Sequence, residues 1–287
     1  APRLGWSSTF TIYDQDQSLR QVKGAQEEVG IDYRRWNPKA FRAHISNAKN
    51  QLLSVQEFLE ENGDSFDVMA RNVAKVYPVY QEALRNHDAF DFDDLLMKPV
   101  ELLENNPTVL EEYKSRFSFL LVDEYQDTNR AQFRFLELLT GDAANLMVVG
   151  DDDQSIYAWR GADIRNILDF EATYPATRVV RLEQNYRSTE RILDAANQVI
   201  SHNVQRKGKT LRTDRAGGDR IVVTETLDET DEARWIVEEI RTTAMEQPQR
   251  TFRDFAVLYR TNAQARALED AARRQDLPYQ VVGGVGF

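Results

Sequence analysis

The segment Phe117-Ser118-Phe119-Leu120-Leu121-Val122-Asp123-Glu124-Tyr125-Gln126-Asp127-Thr128-Asn129 is a short apolar run that ends in acids. A second such run, Leu146-Met147-Val148-Val149, ends in Gly150 and three aspartates. Helical segments at about 129–140 and 163–172 separate these runs from a third, Val179-Val180-Arg181-Leu182. Strands that alternate with helices predict a parallel α/β sheet, in which ligands bind at the carboxyl ends of the strands.

The regions on either side of this core have different patterns. From about Asp14 to His87 apolar residues recur at helical spacing without a strand-like run, which predicts a small all-helical unit. After Ser188 the alternation resumes and predicts a second α/β unit, which is incomplete at Phe287. Its strands are expected at 221–226, 255–259 and 279–282, and its helices at 188–203, 230–246 and from 262.

The composition limits the classes of protein to which the chain can belong. Its 287 residues, 41% of them hydrophobic, predict roughly two globular domains. The absence of cysteine excludes disulfides and thiolate sites, and the three scattered histidines make no zinc motif. No apolar run approaches a membrane span, and the first residues lack the apolar region of a signal peptide. The net charge of −11 would by itself disfavour nucleic acid as a partner.

The pair Asp123-Glu124 is the first candidate site. One carboxylate at the end of a strand can hold Mg²⁺ together with phosphates, and its neighbour can orient or deprotonate a water molecule. That is the acidic half of a nucleoside triphosphatase site. The alternative is a structural role, in which the strand leads into a polar helix cap with Asp127 as the N-cap.

Two further clusters follow. In Gly150 to Ala162, Gln154 can hydrogen-bond a terminal phosphate, and Tyr157 and Trp159, beside Arg160, offer faces on which bases can stack. The alternative is that these aromatics are core and the acids a solvated turn. In Gln184-Asn185-Tyr186-Arg187-Ser188, Arg187 could reach a γ-phosphate across a domain boundary, although a lone arginine also suits a surface salt bridge.

Taken together, the three blocks resemble the superfamily 1 DNA helicases of the UvrD, PcrA and Rep type. Asp123 to Asn129 is similar to their Walker B motif, Gly150 to Ala162 to their coupling motif, and Gln184 to Ser188 to the motif that opens their second RecA-like domain. Further similar segments lie along nearly the whole chain, at residues 10–14, 91–95, 254–262 and 282–284.

The resemblance implies a role for each matching residue. Asp123 would hold Mg²⁺ through water, and Glu124 would be the general base. Gln154 would sense the γ-phosphate of ATP and couple it to DNA. Tyr157 and Trp159, beside Arg160, would stack on bases of single-stranded DNA. Tyr186 would stack on adenine, and Arg187 would contact the γ-phosphate from the second domain.

The resemblance also implies the organisation of the chain. RecA-like parallel sheets of the P-loop NTPase type would be present but incomplete, with an inserted all-helical domain. Residues 1–13 and 89–184 would belong to the first RecA-like domain. Residues 14–88 would be the insert, and residues 185–287 the first half of the second RecA-like domain.

A motor of this type needs the loop Gly-x-x-x-x-Gly-Lys-[Ser/Thr], which cradles phosphates at a helix N-terminus. The only Gly-Lys-Thr in the chain is Gly208-Lys209-Thr210, where Asn203 replaces the first glycine and a helix rather than a strand precedes. By the resemblance, the true loop would precede residue 1, and the last motifs would follow Phe287. We therefore expect a fragment of an ATP-dependent 3′→5′ helicase that hydrolyses no ATP alone.

The charges are distributed unevenly. Two stretches, 33–56 and 201–213, carry basic residues, with no acid between the basic positions of either stretch. Basic stretches bind phosphates, although most such runs are only solvated helix faces. The residues expected at a DNA surface are Arg34, Arg35, Lys39, Arg42, Lys49, Arg206 and Lys207, together with Tyr157, Trp159 and Arg160.

The expected partners are single-stranded DNA, single-strand/duplex junctions and repair proteins, without a membrane. The resemblance implies a cytoplasmic, nucleoid-associated protein of bacterial type that acts in repair or replication. Two rivals stay open. Asp91, Asp93, Asp94 and the acid-ended strands could form a two-metal nuclease site. Alternatively, the chain could be a non-catalytic module that binds DNA or a repair protein.

Overall fold

The computed structural model describes residues 1–141 and 145–282, which fall into two compact units. The first unit comprises Ala1–Arg187 with Leu193–Thr213, and the second comprises Ser188–Ile192 with Asp214–Phe287. Among the described residues, no helix combines the length and apolar character that a bilayer crossing requires. Gly283 and Gly284 of the last segment that resembles the helicases lie outside the described residues.

Four helices lie between two short parallel strands in the first unit. Strand β1 (Thr11–Ile12) pairs with β2 (Ala89–Phe90), so the helical segment leaves and returns at the same place. The segment lies in the same compact unit as the sheets, so a separate inserted domain stays a prediction. The helices are α1 (Gln15–Glu28), α2 (Pro38–Asn50), α3 (Val55–Asn62) and α4 (Val68–Asn86).

Local sequence explains where these helices begin. Asp14 caps α1 and Ser54 caps α3, each in a reciprocal capping box with the residue three positions later. Helix α2 begins with Pro38, whose missing N–H costs nothing at the first helical position. The helices share one apolar core, which includes Val22, Phe41, Ile45, Val73, Tyr77 and Leu84.

The second pair of strands confirms two of the predicted strands. Strand β3 (Leu120–Val122) runs parallel to β4 (Leu146–Val148), with Leu120 opposite Leu146. Leu103, Val109 and Leu139 form a small core beside them. The later helices of the first unit are α5 (Asp94–Asn105), α6 (Pro107–Arg116), α7 (Arg130–Thr140), α8 (Arg165–Leu168) and α9 (Phe170–Thr173). Helix α10 (Glu190–Ile200) begins in the second unit and ends in the first.

Four other predicted strands, at 179–182, 221–226, 255–259 and 279–282, are not formed in the described residues. A strand needs a neighbour to accept and donate its backbone hydrogen bonds, and no strand in the described part of the chain pairs with these segments. Their apolar side chains are accordingly exposed: Leu182 is 75%, Val223 92% and Leu258 90% exposed. The second unit does contain the predicted helices, α11 (Glu229–Glu246) and α12 (Asn262–Arg274).

Candidate functional site

Asp123 and Glu124 lie at the carboxyl end of β3, where the sequence predicts them. The Val149 N–H donates to the Val122 carbonyl at 2.8 Å, and the Tyr125 N–H donates to the Val149 carbonyl at 3.0 Å. The two strand ends are therefore level with each other. Both acidic side chains are exposed, and Glu124 has a left-handed backbone with φ 50°. Such strain in a residue other than glycine is typical of functional sites.

A short 3₁₀ turn, Tyr125–Asp127, connects this strand end to α7. Tyr125 is fully buried and packs edge-on against Phe170 at 5.4 Å between ring centroids, which anchors the turn. Helix α7 is capped by Asn129, whose side chain accepts from the Gln132 N–H at 2.9 Å. The alternative that made Asp127 the N-cap is therefore wrong.

A groove of about 420 Å³ opens beside the two carboxylates. Asp123, Glu124 and Asp127 are among the residues that line it. Burial raises the pKa of Asp127, and the nearby charge of Glu124 adds to the rise. The apolar walls come from α5 and α7, through Leu95, Leu96, Pro99, Phe135 and Leu136.

The turn after β4 reaches the same edge of the sheet. The Gln126 side-chain oxygen accepts from the Asp151 N–H at 2.9 Å. The Asp151 carboxylate in turn accepts from the Gln154 side-chain amide at 2.7 Å. Burial alone would raise the pKa of Asp151, but hydrogen bonds from Lys209 and Gln154 hold it below its ordinary value. The structure thus brings Gln154 and Glu124 to one end of the first unit.

Tyr157, Trp159 and Arg160 form a stack, here called the aromatic stack. The Arg160 guanidinium lies 4.9 Å from the Tyr157 ring centroid and 4.6 Å from that of Trp159. Trp159 is 67% exposed, so the alternative that placed this aromatic in the core is wrong. An exposed indole held against a guanidinium offers a flat face to a base.

Tyr186 and Arg187 lie on an irregular segment of the first unit. Just before them, Gln184 forms an isolated parallel bridge with Arg212, and the Asn185 side chain accepts from the Arg187 N–H at 3.0 Å. The Tyr186 ring is 82% exposed. Its proposed role towards adenine therefore stays a prediction, as does that of Arg187 towards phosphate.

Most of the first basic stretch lies at the surface. Arg34, Arg35 and Lys39 are exposed and Arg42 is half-buried; we call these four residues the basic patch. Lys23, which the sequence pattern does not predict at this surface, places its ammonium 4.0 Å from the Tyr33 ring centroid, beside Arg34. A helical pattern cannot show that α1 and the turn before α2 meet there.

Lys49 does not belong to this surface, against the prediction. Its side chain is fully buried, and its ammonium lies 2.7 Å from Asp91 Oδ2 and 3.0 Å from Asp94 Oδ1. Lys49 falls on the buried face of α2, four residues after Ile45. A basic run does not reveal which face of a helix each member occupies.

The second basic stretch is engaged with acids of its own unit. Arg206 donates two hydrogen bonds to the Asp153 carboxylate, at 2.8 and 2.6 Å. Lys207 pairs with Glu171 at 2.6 Å. Lys209, of the Gly-Lys-Thr that does not make a phosphate loop, pairs with Asp151. Contact between Arg206 or Lys207 and DNA phosphates would require exchange of these partners.

The acids fit a shared magnesium ion and not a cage of protein ligands. Among residues 1–141 and 145–282, no group of three or more acidic, histidine or cysteine side chains is arranged to hold a metal. Asp91 and Asp94 are instead occupied by Lys49, which removes the support for a two-metal nuclease. A single exposed carboxylate such as Asp123 suits Mg²⁺ that is held mainly by phosphates and water.

Comparison with known proteins gives a consistent result over the whole chain. The UvrD/REP helicase N-terminal domain matches residues 1–175, and the UvrD-like helicase C-terminal domain matches residues 180–287. The chain is 45% identical over 287 residues to the ATP-dependent DNA helicase PcrA of Staphylococcus epidermidis. It is 47% identical over 290 residues to the ATP-dependent DNA helicase UvrD1 of Mycobacterium tuberculosis.

These alignments cover 100% and 99% of this chain but only 39% and 38% of the two relatives. The chain thus spans about two fifths of the length of the curated relatives that it matches. A RecA-like superfamily 1 fold follows from the matched domains, and the small parallel sheets of the structure agree with it. The chain belongs to the UvrD/REP helicase family.

Proposed function

We propose that this chain is part of an ATP-dependent 3′→5′ DNA helicase that acts in DNA repair or replication in the bacterial cytoplasm, at the nucleoid. The observation that carries the proposal is the meeting of Glu124 and Gln154 at one sheet edge, through Gln126 and Asp151. Single-stranded DNA and its junctions with duplex are the proposed substrates, and repair proteins are proposed partners.

The proposed chemistry divides among a few side chains. Asp123 would hold Mg²⁺ through water, and the ion would neutralise charge that develops on the phosphates. Glu124 would orient the attacking water and take its proton. Gln154 and Arg187 would contact the γ-phosphate, and Tyr186 would stack on the adenine of ATP. Closure and opening of the nucleotide site would then drive steps along DNA.

Unwinding polarity tests this proposal. We call the protein expressed at the full length of its relatives the whole protein. It is expected to unwind a duplex with a 3′ single-stranded tail when ATP and Mg²⁺ are present. A duplex with only a 5′ tail is the control. The 287-residue chain alone is expected to hydrolyse no ATP, because it contains no phosphate-binding loop. Unwinding only from the 5′ tail, or turnover by the chain alone that Glu124→Gln abolishes, would contradict the proposal.

Replacing Trp159 with alanine is expected to weaken binding of single-stranded DNA by about 5–150-fold. The reason is that base–aromatic stacking contributes about 1–3 kcal/mol per base. Fluorescence anisotropy of a labelled oligothymidine with the 287-residue chain measures the change. Trp235→Ala, on α11, is the matched control and should leave the affinity unaltered. Equal weakening by both variants would remove the aromatic stack from the DNA site.

Neutralising the basic patch is expected to reduce the salt dependence of DNA binding. Glutamine at Arg34, Arg35, Lys39 and Arg42 removes charges that release counterions from DNA. The log–log slope of affinity against salt should become shallower by about 0.9 for each duplex phosphate that the variant no longer neutralises. The control is Lys75→Gln, an exposed lysine on α4 outside the patch. An unaltered slope would exclude the patch from the interface.

A further inference from the structure

Gln126 is a buried amide between the two acid-ended strands, and its role goes beyond packing. It is only 1% exposed. Its nitrogen Nε2 donates to Glu124 Oε2 at 2.8 Å, and its oxygen Oε1 accepts from the Asp151 N–H at 2.9 Å. Both contacts are made by the side chain of Gln126, so both are lost when this side chain is replaced by an apolar one.

The chemistry of the two neighbours fixes which way the amide points. An ionised carboxylate can only accept a hydrogen bond, and a backbone N–H can only donate one. The amide nitrogen must therefore face Glu124 and the oxygen must face Asp151. Glutamate at position 126 would keep the acceptor and lose the donor, and methionine would lose both.

Gly150 makes room for this arrangement. A Cβ at that position would lie 2.8 Å from the Gln126 side-chain oxygen and 2.8 Å from Ile167 Cδ1. Any larger residue would push the amide away from the Asp151 N–H. The close approach of backbone and amide thus explains a glycine two residues after the end of β4.

The hydrogen bonds continue beyond Asp151. Its carboxylate accepts from the Asp153 N–H at 3.0 Å and from Gln154 Nε2 at 2.7 Å, and it also pairs with Lys209. An unbroken series therefore runs from the Glu124 carboxylate through Gln126 and Asp151 to the Gln154 side chain. All of these residues lie in the first unit.

We propose that Gln126 is a positioning residue that links the orientation of the Glu124 carboxylate to the turn carrying Gln154. Glu124 is exposed, and Gln126 donates the one side-chain hydrogen bond given to its carboxylate among the described residues. Movement of the Asp151 turn withdraws the N–H from Gln126, which frees the amide to turn away from Glu124. The link between the Glu124 carboxylate and the turn carrying Gln154 does not depend on any function, whereas its effect on catalysis rests on the proposed function.

A double-substitution cycle read by NMR tests the link in the 287-residue chain. Glu124→Ala is expected to shift the backbone amide resonance of Asp151. When Gln126 is already replaced, by Gln126→Glu or Gln126→Met, adding Glu124→Ala should not shift the Asp151 resonance any further. Gln132→Met, which removes a nearby side-chain amide that accepts from the Asn129 N–H, is the control background and should keep the shift. A shift of equal size in the Gln126 backgrounds would overturn the link.

Steady-state kinetics of the whole protein test the consequence. Gln126→Glu is expected to lower kcat for ATP about 10–100-fold, by analogy with the loss of activity when the hydrogen-bond partner of a metal ligand is removed. KM for ATP should stay unaltered, because Gln126 would act only on the hydrolytic step. An unaltered kcat would overturn the positioning role even where NMR supports the link. A wild-type protein without ATP hydrolysis would instead refute the proposed function, leaving the NMR result to decide the link.

Discussion

Replacing Lys49 with methionine is expected to lower the free energy of unfolding of the first unit by about 3–5 kcal/mol. The lysine is fully buried between Asp91 and Asp94, and the Tyr80 hydroxyl also donates to Asp91 at 2.8 Å. Removing the ammonium leaves two buried carboxylates without the counter-charge that pairs with both of them. Loss of one partner from a buried ion pair is among the most destabilising single substitutions.

Unfolding in urea, monitored by circular dichroism, measures this change in the free energy of unfolding. Amide hydrogen exchange in α2 and α4 assigns the change to the first unit. Lys39→Met on the same helix is the matched control, because Lys39 is exposed and surface substitutions usually shift stability by less than about 0.5 kcal/mol. A Lys49 variant as stable as the Lys39 variant would show that the cluster contributes nothing to folding.

The same cluster sets a pH window for the first unit. Burial alone would lower the pKa of Lys49, but Asp91 and Asp94 outweigh it and raise the pKa above the ordinary 10.5. The contribution of Lys49 to the stability of the folded state is thus complete below pH 10.5. It is lost as the pH rises through the pKa that Lys49 has in the folded protein. Burial alone would raise the pKa of Asp91, yet Lys49 holds it below 3.8, so that contribution is lost in acid.

Replacing Glu124 with glutamine in the whole protein is expected to lower ATP turnover by about 10²–10⁴-fold, the usual contribution of a general base. Glutamine has nearly the same shape but cannot take a proton from water. Nucleotide binding should be retained, because Glu124 is not proposed to hold phosphate. Single-turnover hydrolysis and equilibrium ATP binding separate the two effects.

The control for this substitution is Glu112→Gln, an exposed glutamate on α6 that does not line the groove beside Asp123 and Glu124. It should leave turnover within a factor of about two, as expected for a surface site. A Glu124 variant that binds no ATP would assign Glu124 to nucleotide binding. One with unaltered turnover would remove it from the reaction.

The sequence predicts the strand ends of the first unit well. Leu120–Val122 and Leu146–Val148 form the expected parallel pair, since an apolar run that stops at acids predicts a strand that ends there. Helices α7, α11 and α12 follow from their periodicity in the same way. These features depend on local pattern, which the sequence contains in full.

Features that depend on partners far along the chain are predicted less well. The apolar segment at 221–226 has the pattern of a strand, yet Val223 is 92% exposed and no strand among residues 1–141 and 145–282 pairs with it. In the sequence, Lys49 is indistinguishable from the other basic residues of its stretch. Only the fold shows that it is buried against Asp91 and Asp94. Gln126 gives no signal beyond its position in a motif, because its role depends on two neighbours that only the fold supplies.

DNA-stimulated ATP hydrolysis by the whole protein is the most direct measurement of the proposed function. The rate of phosphate release with Mg²⁺ is compared with and without single-stranded DNA. We expect slow hydrolysis without DNA, strong stimulation by single-stranded DNA, and loss of the stimulated rate in the Glu124→Gln variant. No hydrolysis with single-stranded DNA, or a rate that neither DNA nor Glu124→Gln alters, would contradict the assignment of this site to a DNA-dependent motor.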